Sequence, residues 1–92
     1  MKHTIFGDRC VKVGTKAVSV ELGYRGFMIK NASENAVYFR EKDTDGKAVT
    51  AETGMRLDAG ETFPAVLCAK TLSLIADGED SDVRLLLVEA EA

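Results

Sequence analysis

Hydrophobic and polar residues alternate with a period of two along most of the chain, as in β-strands that bury one face. The alternation is clearest over residues 17–22, where Val18, Val20 and Leu22 share a face, and over residues 71–76. Further strands are predicted, from β-branched and aromatic runs bounded by turn residues, over 26–30, 36–40, 55–57, 62–68 and 83–89, with short candidates at 4–6 and 11–13. No segment of about ten residues has the 3.6-residue period of a helix.

Short strands separated by Gly, Asp and Asn at spacings of roughly ten residues are typical of all-β domains. The pattern predicts a small antiparallel β-sandwich or a jelly-roll-like barrel. A length of 92 residues predicts a single domain over 1–92. Residues 1–15 could instead form an N-terminal arm, because the two candidate strands there are short.

The composition, 46% hydrophobic and 29% charged, is that of a globular protein. A net charge of −3 argues against nucleic-acid binding by the whole chain, and no apolar run approaches the length of a membrane span. We therefore expect neither a nucleic-acid partner nor a membrane partner. The charge is unevenly distributed, at about +4 over residues 1–30 and about −7 over 31–92. It is either scattered over a small surface or complementary between neighbouring copies.

The two cysteines, Cys10 and Cys68, lie among apolar residues and form no CxxC pair. We predict two free thiols in the core, with a Cys10–Cys68 disulfide as the alternative. The single histidine, His3, has no partner in sequence that would form a catalytic or zinc-binding set. We expect no catalytic residues, no cofactor and no enzyme activity.

Residues 41–52 have the carboxylate spacing of a calcium-binding EF-hand loop. The candidate ligands are Glu41, Asp43, Asp45 and Glu52, with Gly46 at the sixth position. Glutamate at the first position and a predicted strand before the loop both depart from that motif. The favoured interpretation is a solvated hairpin turn at Asp45-Gly46, with no metal bound.

The last predicted strand is apolar on both faces. Val83, Leu85 and Leu87 share one face, while Leu86 and Val88 lie on the other. A strand of a two-layer sandwich buries one face in its own core, so Leu86 and Val88 are predicted to form a self-association interface. The alternative is that the N-terminal segment of the same chain covers them.

Four segments resemble small structural proteins of bacteriophages and prophages. Residues 29–39, IKNASENAVYF, are similar to a strand-turn-strand motif of those proteins, and GMRLDAGE at 54–61 is similar to a turn that follows it. Residues 72–78 and 83–86 are similar to the closing strands. In the turn, Gly60 is expected to adopt a positive φ and Glu61 to bond back to the backbone.

The resemblance covers residues 26–89 and implies a virion component of the head-fibre, decoration or tail-attachment kind, assembled in the bacterial cytoplasm. Its implied partners are further copies of the chain and other virion proteins. The alternative function is a carbohydrate- or peptide-binding module, for which only Phe6, Tyr24 and Tyr38 could supply an aromatic platform.

Overall fold

The computed structural model of the protein describes residues 2–42 and 47–91, with side chains over 7–42 and 47–88. The described residues form eight strands and no helix. The strands are β1 (Lys2–Val13), β2 (Val18–Glu21), β3 (Gly26–Asn31), β4 (Val37–Glu41), β5 (Met55–Leu57), β6 (Leu67–Cys68), β7 (Thr71–Ala76) and β8 (Ser81–Glu91).

The strands form two four-stranded antiparallel sheets. Sheet A has the order β1-β8-β3-β6 and sheet B the order β2-β7-β4-β5. The first strand therefore pairs with the last, the second with the seventh, the third with the sixth and the fourth with the fifth. This nested pairing is the connectivity of a jelly roll, and the predicted all-β sandwich is confirmed.

Tertiary pairing alters the predicted strands at two places. The N-terminal candidates at 4–6 and 11–13 join into the single strand β1, which pairs with β8 through a register shift between Ile5 and Gly7. The strand predicted over 62–68 is interrupted after Thr62 and Phe63, and only Leu67–Cys68 forms β6. Pro64 lies in the interruption, where its missing N–H removes a ladder hydrogen bond.

The core lies between the sheets and is built from the alternating apolar positions. Ile29 of β3 and Leu74 of β7 are fully buried in it. The ring of Phe39 meets that of Phe63 edge-on, with centroids 5.7 Å apart. Phe63 belongs to the interrupted segment, so this segment closes the core by packing even where it does not extend the sheet.

The prediction that both cysteines are core residues is wrong, because Cys10 and Cys68 are exposed. Both thiols are free. Cys10 lies in β1 and Cys68 in β6, which are opposite edges of sheet A. Three strand spacings separate them by about 14 Å, whereas a disulfide needs Cα atoms within about 7 Å. The alternative of a Cys10–Cys68 bridge is therefore excluded within one folded chain.

The turn at residues 58–61 has the predicted local structure. Gly60 has a φ of 77°, in the left-handed region that favours glycine. A carboxylate oxygen of Glu61 accepts the backbone N–H of Asp58 at 2.9 Å. The backbone of this turn also bonds to Asn31 at the end of β3, since the Asn31 N–H donates to Glu61 and the Asn31 carbonyl accepts from Gly60.

Candidate interaction surface

Only two of the four candidate calcium ligands, Glu41 and Glu52, lie among the described residues. Asp43 and Asp45 lie outside the described residues, as does the predicted Asp45-Gly46 turn. The Glu41 carboxylate accepts the backbone N–H of Lys70 at 3.0 Å, a structural role in linking β4 to β7. Glu52 lies in an exposed turn that Thr50 and Thr53 hold. Among the residues that the structure describes, no three metal-ligating side chains cluster.

The predicted interface residues Leu86 and Val88 lie on the outer face of sheet A, on the side of β8 away from the core. Leu86 is half-buried, whereas Val88 is only 3% exposed. The single chain therefore already buries Val88, whereas part of the Leu86 side chain stays accessible. Val88 lies beside Gly26, and a methyl group at Gly26 would meet both Val66 and Val88 side chains, so Val66 packs over the space that glycine leaves.

The outer face of sheet A has an apolar half. Leu86 lies between Asp8 of β1 and Met28 of β3 in the sheet register. Met28 is half-buried, and Val66 is 40% exposed at the margin of the same region. Leu86, Met28, Val88 and Val66 form what we call the sheet A patch. Within this patch, Leu86, Met28 and Val66 are partly exposed to solvent, whereas Val88 is buried.

The other half of this face is charged. Cys10 of β1 lies opposite Arg84 of β8, and Lys12 lies opposite Asp82. The Cys10 thiol donates to the Asp82 carboxylate at 2.9 Å, and Arg84 donates to the same carboxylate through two nitrogens. No local sequence pattern indicates this group, because its members come from the two ends of the chain and only the β1–β8 pairing brings them together.

These contacts shift two pKa values in opposite directions. The hydrogen bonds from Arg84 and, secondarily, from Cys10 lower the pKa of Asp82 to about 2. The Asp82 carboxylate accepts a hydrogen bond from the protonated thiol of Cys10 and so stabilises that form. Asp82 thereby raises the pKa of Cys10. Cys10 is thus less ionised at neutral pH than an ordinary exposed thiol, which disfavours its use as a nucleophile.

Part of the outer face of sheet B is covered by residues 47–54, which precede β5. Val49 of this segment is 1% exposed, and its N–H donates to the hydroxyl of Ser73 at 3.0 Å. Ser73 lies on the outer side of β7, yet it is completely buried. Gly54 permits this close packing, because a Cβ there would lie 2.5 Å from Val49 and 3.0 Å from Tyr38. Among the described residues, the two outer faces of the sandwich therefore differ: part of the sheet B face around Ser73 is covered, whereas Leu86 and Met28 on sheet A stay partly accessible.

A cavity of about 290 Å³ opens on the side of the sandwich where β5 and β6 are the edges. Its apolar walls include Phe27, Phe39, Phe63 and Leu67, and Met55 stands at 55% exposure beside it. This cavity was not predicted, because residues from five strands and their connections line it and only the tertiary fold brings them together.

The tyrosines do not form an aromatic platform. Tyr38 is 8% exposed, and its ring lies 5.9 Å from the guanidinium of Arg56. Tyr24 is 63% exposed in the turn between β2 and β3. The side chain of Phe6 lies outside the described ones.

Comparisons with protein-family models, curated proteins and solved structures found no match to this chain. The described residues include no helix that could cross a membrane.

Proposed function

We propose that the chain is a non-enzymatic structural protein of the phage-virion type, which associates with copies of itself and with capsid or tail proteins. The observation that carries this proposal is the asymmetry of the sandwich. Residues 47–54 cover part of the outer face of sheet B and bury Val49, whereas Leu86 and Met28 on sheet A stay half-exposed among the described residues. A half-apolar sheet face that stays accessible is typical of an interaction surface.

The arrangement of apolar and charged residues on this face favours a specific contact over non-specific hydrophobic association. Apolar side chains around Leu86 adjoin a charged region with Lys12, Asp82 and Arg84. An apolar centre supplies affinity, and fixed charges beside it set orientation. The virion setting rests on the resemblance of residues 26–89 to phage structural proteins. Assembly in a bacterial cytoplasm would also keep the exposed thiols of Cys10 and Cys68 reduced.

A pair of matched variants tests the surface. Leu86→Asp places a charge in the sheet A patch, and Ser19→Asp places the same charge at an exposed position of sheet B. We expect Leu86→Asp to lower the mass of the oligomer by abolishing contacts through the patch and Ser19→Asp to leave that mass unchanged, both with unchanged strand content by circular dichroism. Val88 is not substituted, because a charge at a buried position would unfold the chain whatever its assembly.

Equal sedimentation of both variants and the wild type would contradict the proposed surface. The virion setting has a separate test in the gene's surroundings. Portal, capsid or tail genes beside it are expected, and a metabolic operon would contradict this part of the proposal.

The second candidate function, a binding module for a carbohydrate or peptide, is favoured by the cavity between β5 and β6. Three phenylalanines line it, so an apolar or aromatic group of a ligand would fit its walls. Amide chemical shifts distinguish the two functions. A glycan or aromatic peptide bound in the cavity would move the signals of Phe63 and Met55, whereas self-association would move those around Leu86.

A further inference from the structure

The free edge of β1 has a feature that the apolar patch does not explain. In the described part of the chain, β1 pairs with β8 and with no other strand. Its segment from Gly7 to Val13 lies between the register shift and the following turn, so it is a regular seven-residue edge. An unpaired edge presents backbone N–H and C=O groups that can add another strand.

The register of β1 places three side chains on the outer face of this edge. Asp8 is opposite Leu86, Cys10 opposite Arg84 and Lys12 opposite Asp82. All three are exposed. Their order along the edge is acidic, neutral, basic, which is self-complementary when the strand meets a reversed copy of itself.

We propose that two copies of the chain pair antiparallel through their β1 edges. The two-fold axis between them passes midway between the two Cys10 residues, and we call this the axis at Cys10. Asp8 of each copy then faces Lys12 of the other, and the two Cys10 residues face each other. The two A sheets join into one eight-stranded sheet. The inference rests on the proposed self-association and adds a second contact to it, because the paired edges leave both sheet A patches on one continuous face where a further copy or another protein can bind.

Symmetry and charge select this register. The two-fold axis between two antiparallel strands is perpendicular to the sheet, so each outer-face residue lies opposite an outer-face residue of the other copy. The axis therefore passes midway between one residue and the same residue of the other copy. Axes at Asp8, Arg9 or Lys12 would each set a charge against its own copy. An axis at Val11 would bring Cys10 opposite Lys12 and form no opposite-charge pair. Only the axis at Cys10 forms two opposite-charge pairs and no like-charge pair, which is the favoured cross-strand arrangement.

Charge exchange tests the pairing. Asp8→Lys and Lys12→Asp each turn both predicted pairs into like-charge pairs, and each should weaken self-association by roughly ten- to a hundredfold. A mixture of the two variants restores opposite charges at both positions, so the mixture should form a heterodimer although neither variant forms a homodimer. Sedimentation of the separate and mixed variants measures this.

The cysteines supply the geometric test. Facing residues of antiparallel strands have Cα atoms about 4.5–5.5 Å apart, within the range that a disulfide spans. Copper–phenanthroline should therefore join two copies of Cys68→Ser, which retains Cys10. It should not join copies of Cys10→Ser, which retains the exposed Cys68 on the opposite edge.

Equal crosslinking through Cys10 and Cys68, or a mixture of charge variants that stays dissociated, would overturn the pairing. If Leu86→Asp dissociates an oligomer that Cys10 does not crosslink, self-association through the sheet A patch stands and the pairing of β1 edges is wrong. If the wild-type chain is monomeric, both proposals are wrong.

Discussion

Asn31 is a buried polar side chain that ties three segments of the chain together. Its amide nitrogen donates to the carbonyls of Asn35 and Leu57, at 2.7 Å and 3.0 Å. Its side-chain oxygen accepts both the N–H and the hydroxyl of Ser33. The end of β3 in sheet A is thereby fixed to the end of β5 in sheet B, across the sandwich.

Replacing Asn31 tests this bridge. Asn31→Ala removes the side-chain hydrogen bonds to the Leu57 and Asn35 carbonyls, the first of them buried, and should lower the free energy of unfolding by about 1–3 kcal/mol. Urea denaturation measures the change, and Glu34→Ala, at an exposed position of the same turn, is the control. Equal stability of the two variants would show that the bridge contributes nothing.

The sequence around Asn31 shows what local patterns can and cannot reveal. Asn31-Ala32-Ser33 has a polar turn composition, and the turn is where it was expected. Its partner Leu57 is twenty-six positions away, and only the jelly-roll pairing brings the two together. The same holds for Cys10, which has apolar neighbours in sequence but meets Asp82 at the sheet surface.

The ion pair of Asp82 with Arg84 predicts a pH dependence. The pKa of Asp82 is lowered from 3.8 to about 2 in the folded chain. The ionised carboxylate therefore stabilises the fold above its ordinary pKa, and this contribution is lost as the pH falls through about 2. Carbon-detected NMR titration should place the Asp82 midpoint near 2 in the wild type and nearer 3.8 in Arg84→Gln. A midpoint that Arg84→Gln leaves unmoved would contradict the assigned cause.

At the scale of elements, strand positions followed from the period of two, whereas their extents did not. β7 spans Thr71–Ala76, as the alternation predicts. β1 is longer than its two candidate segments, because β8 provides a partner along its whole length. β6 is shorter than predicted, because the chain is interrupted at Pro64. Extent depends on a partner strand, which local pattern does not identify.

The connection between β4 and β5 covers part of sheet B, and Val49 is its anchor. Val49→Ala removes buried methyl groups and should lower the free energy of unfolding by about 1–3 kcal/mol in urea denaturation. Val66→Ala, at a position that is 40% exposed, is the matched control and should cost less. If the two variants were equally stable, the connection would not be packed on sheet B.

For the whole molecule, the sequence shows that both faces of β8 are apolar. It does not show which of these side chains other parts of the chain bury. Leu86 keeps part of its surface in water, whereas Val88 is buried beside Gly26 and Val66. Val66 precedes β6, which pairs with β3 at Gly26 and so comes within reach of Val88. The apolar surface that remains for the proposed interface is therefore that of Leu86 and its neighbour Met28, and Val88 contributes little to it.

The account of this protein as a self-associating structural module is tested most directly by its mass in solution. Sedimentation equilibrium of the wild-type chain under reducing conditions, from low to high micromolar concentration, gives that mass without any substitution. We expect a concentration-dependent rise from the 9.9 kDa of one chain to the mass of a dimer or a larger closed oligomer. A mass that stays at 9.9 kDa throughout this range would contradict the account.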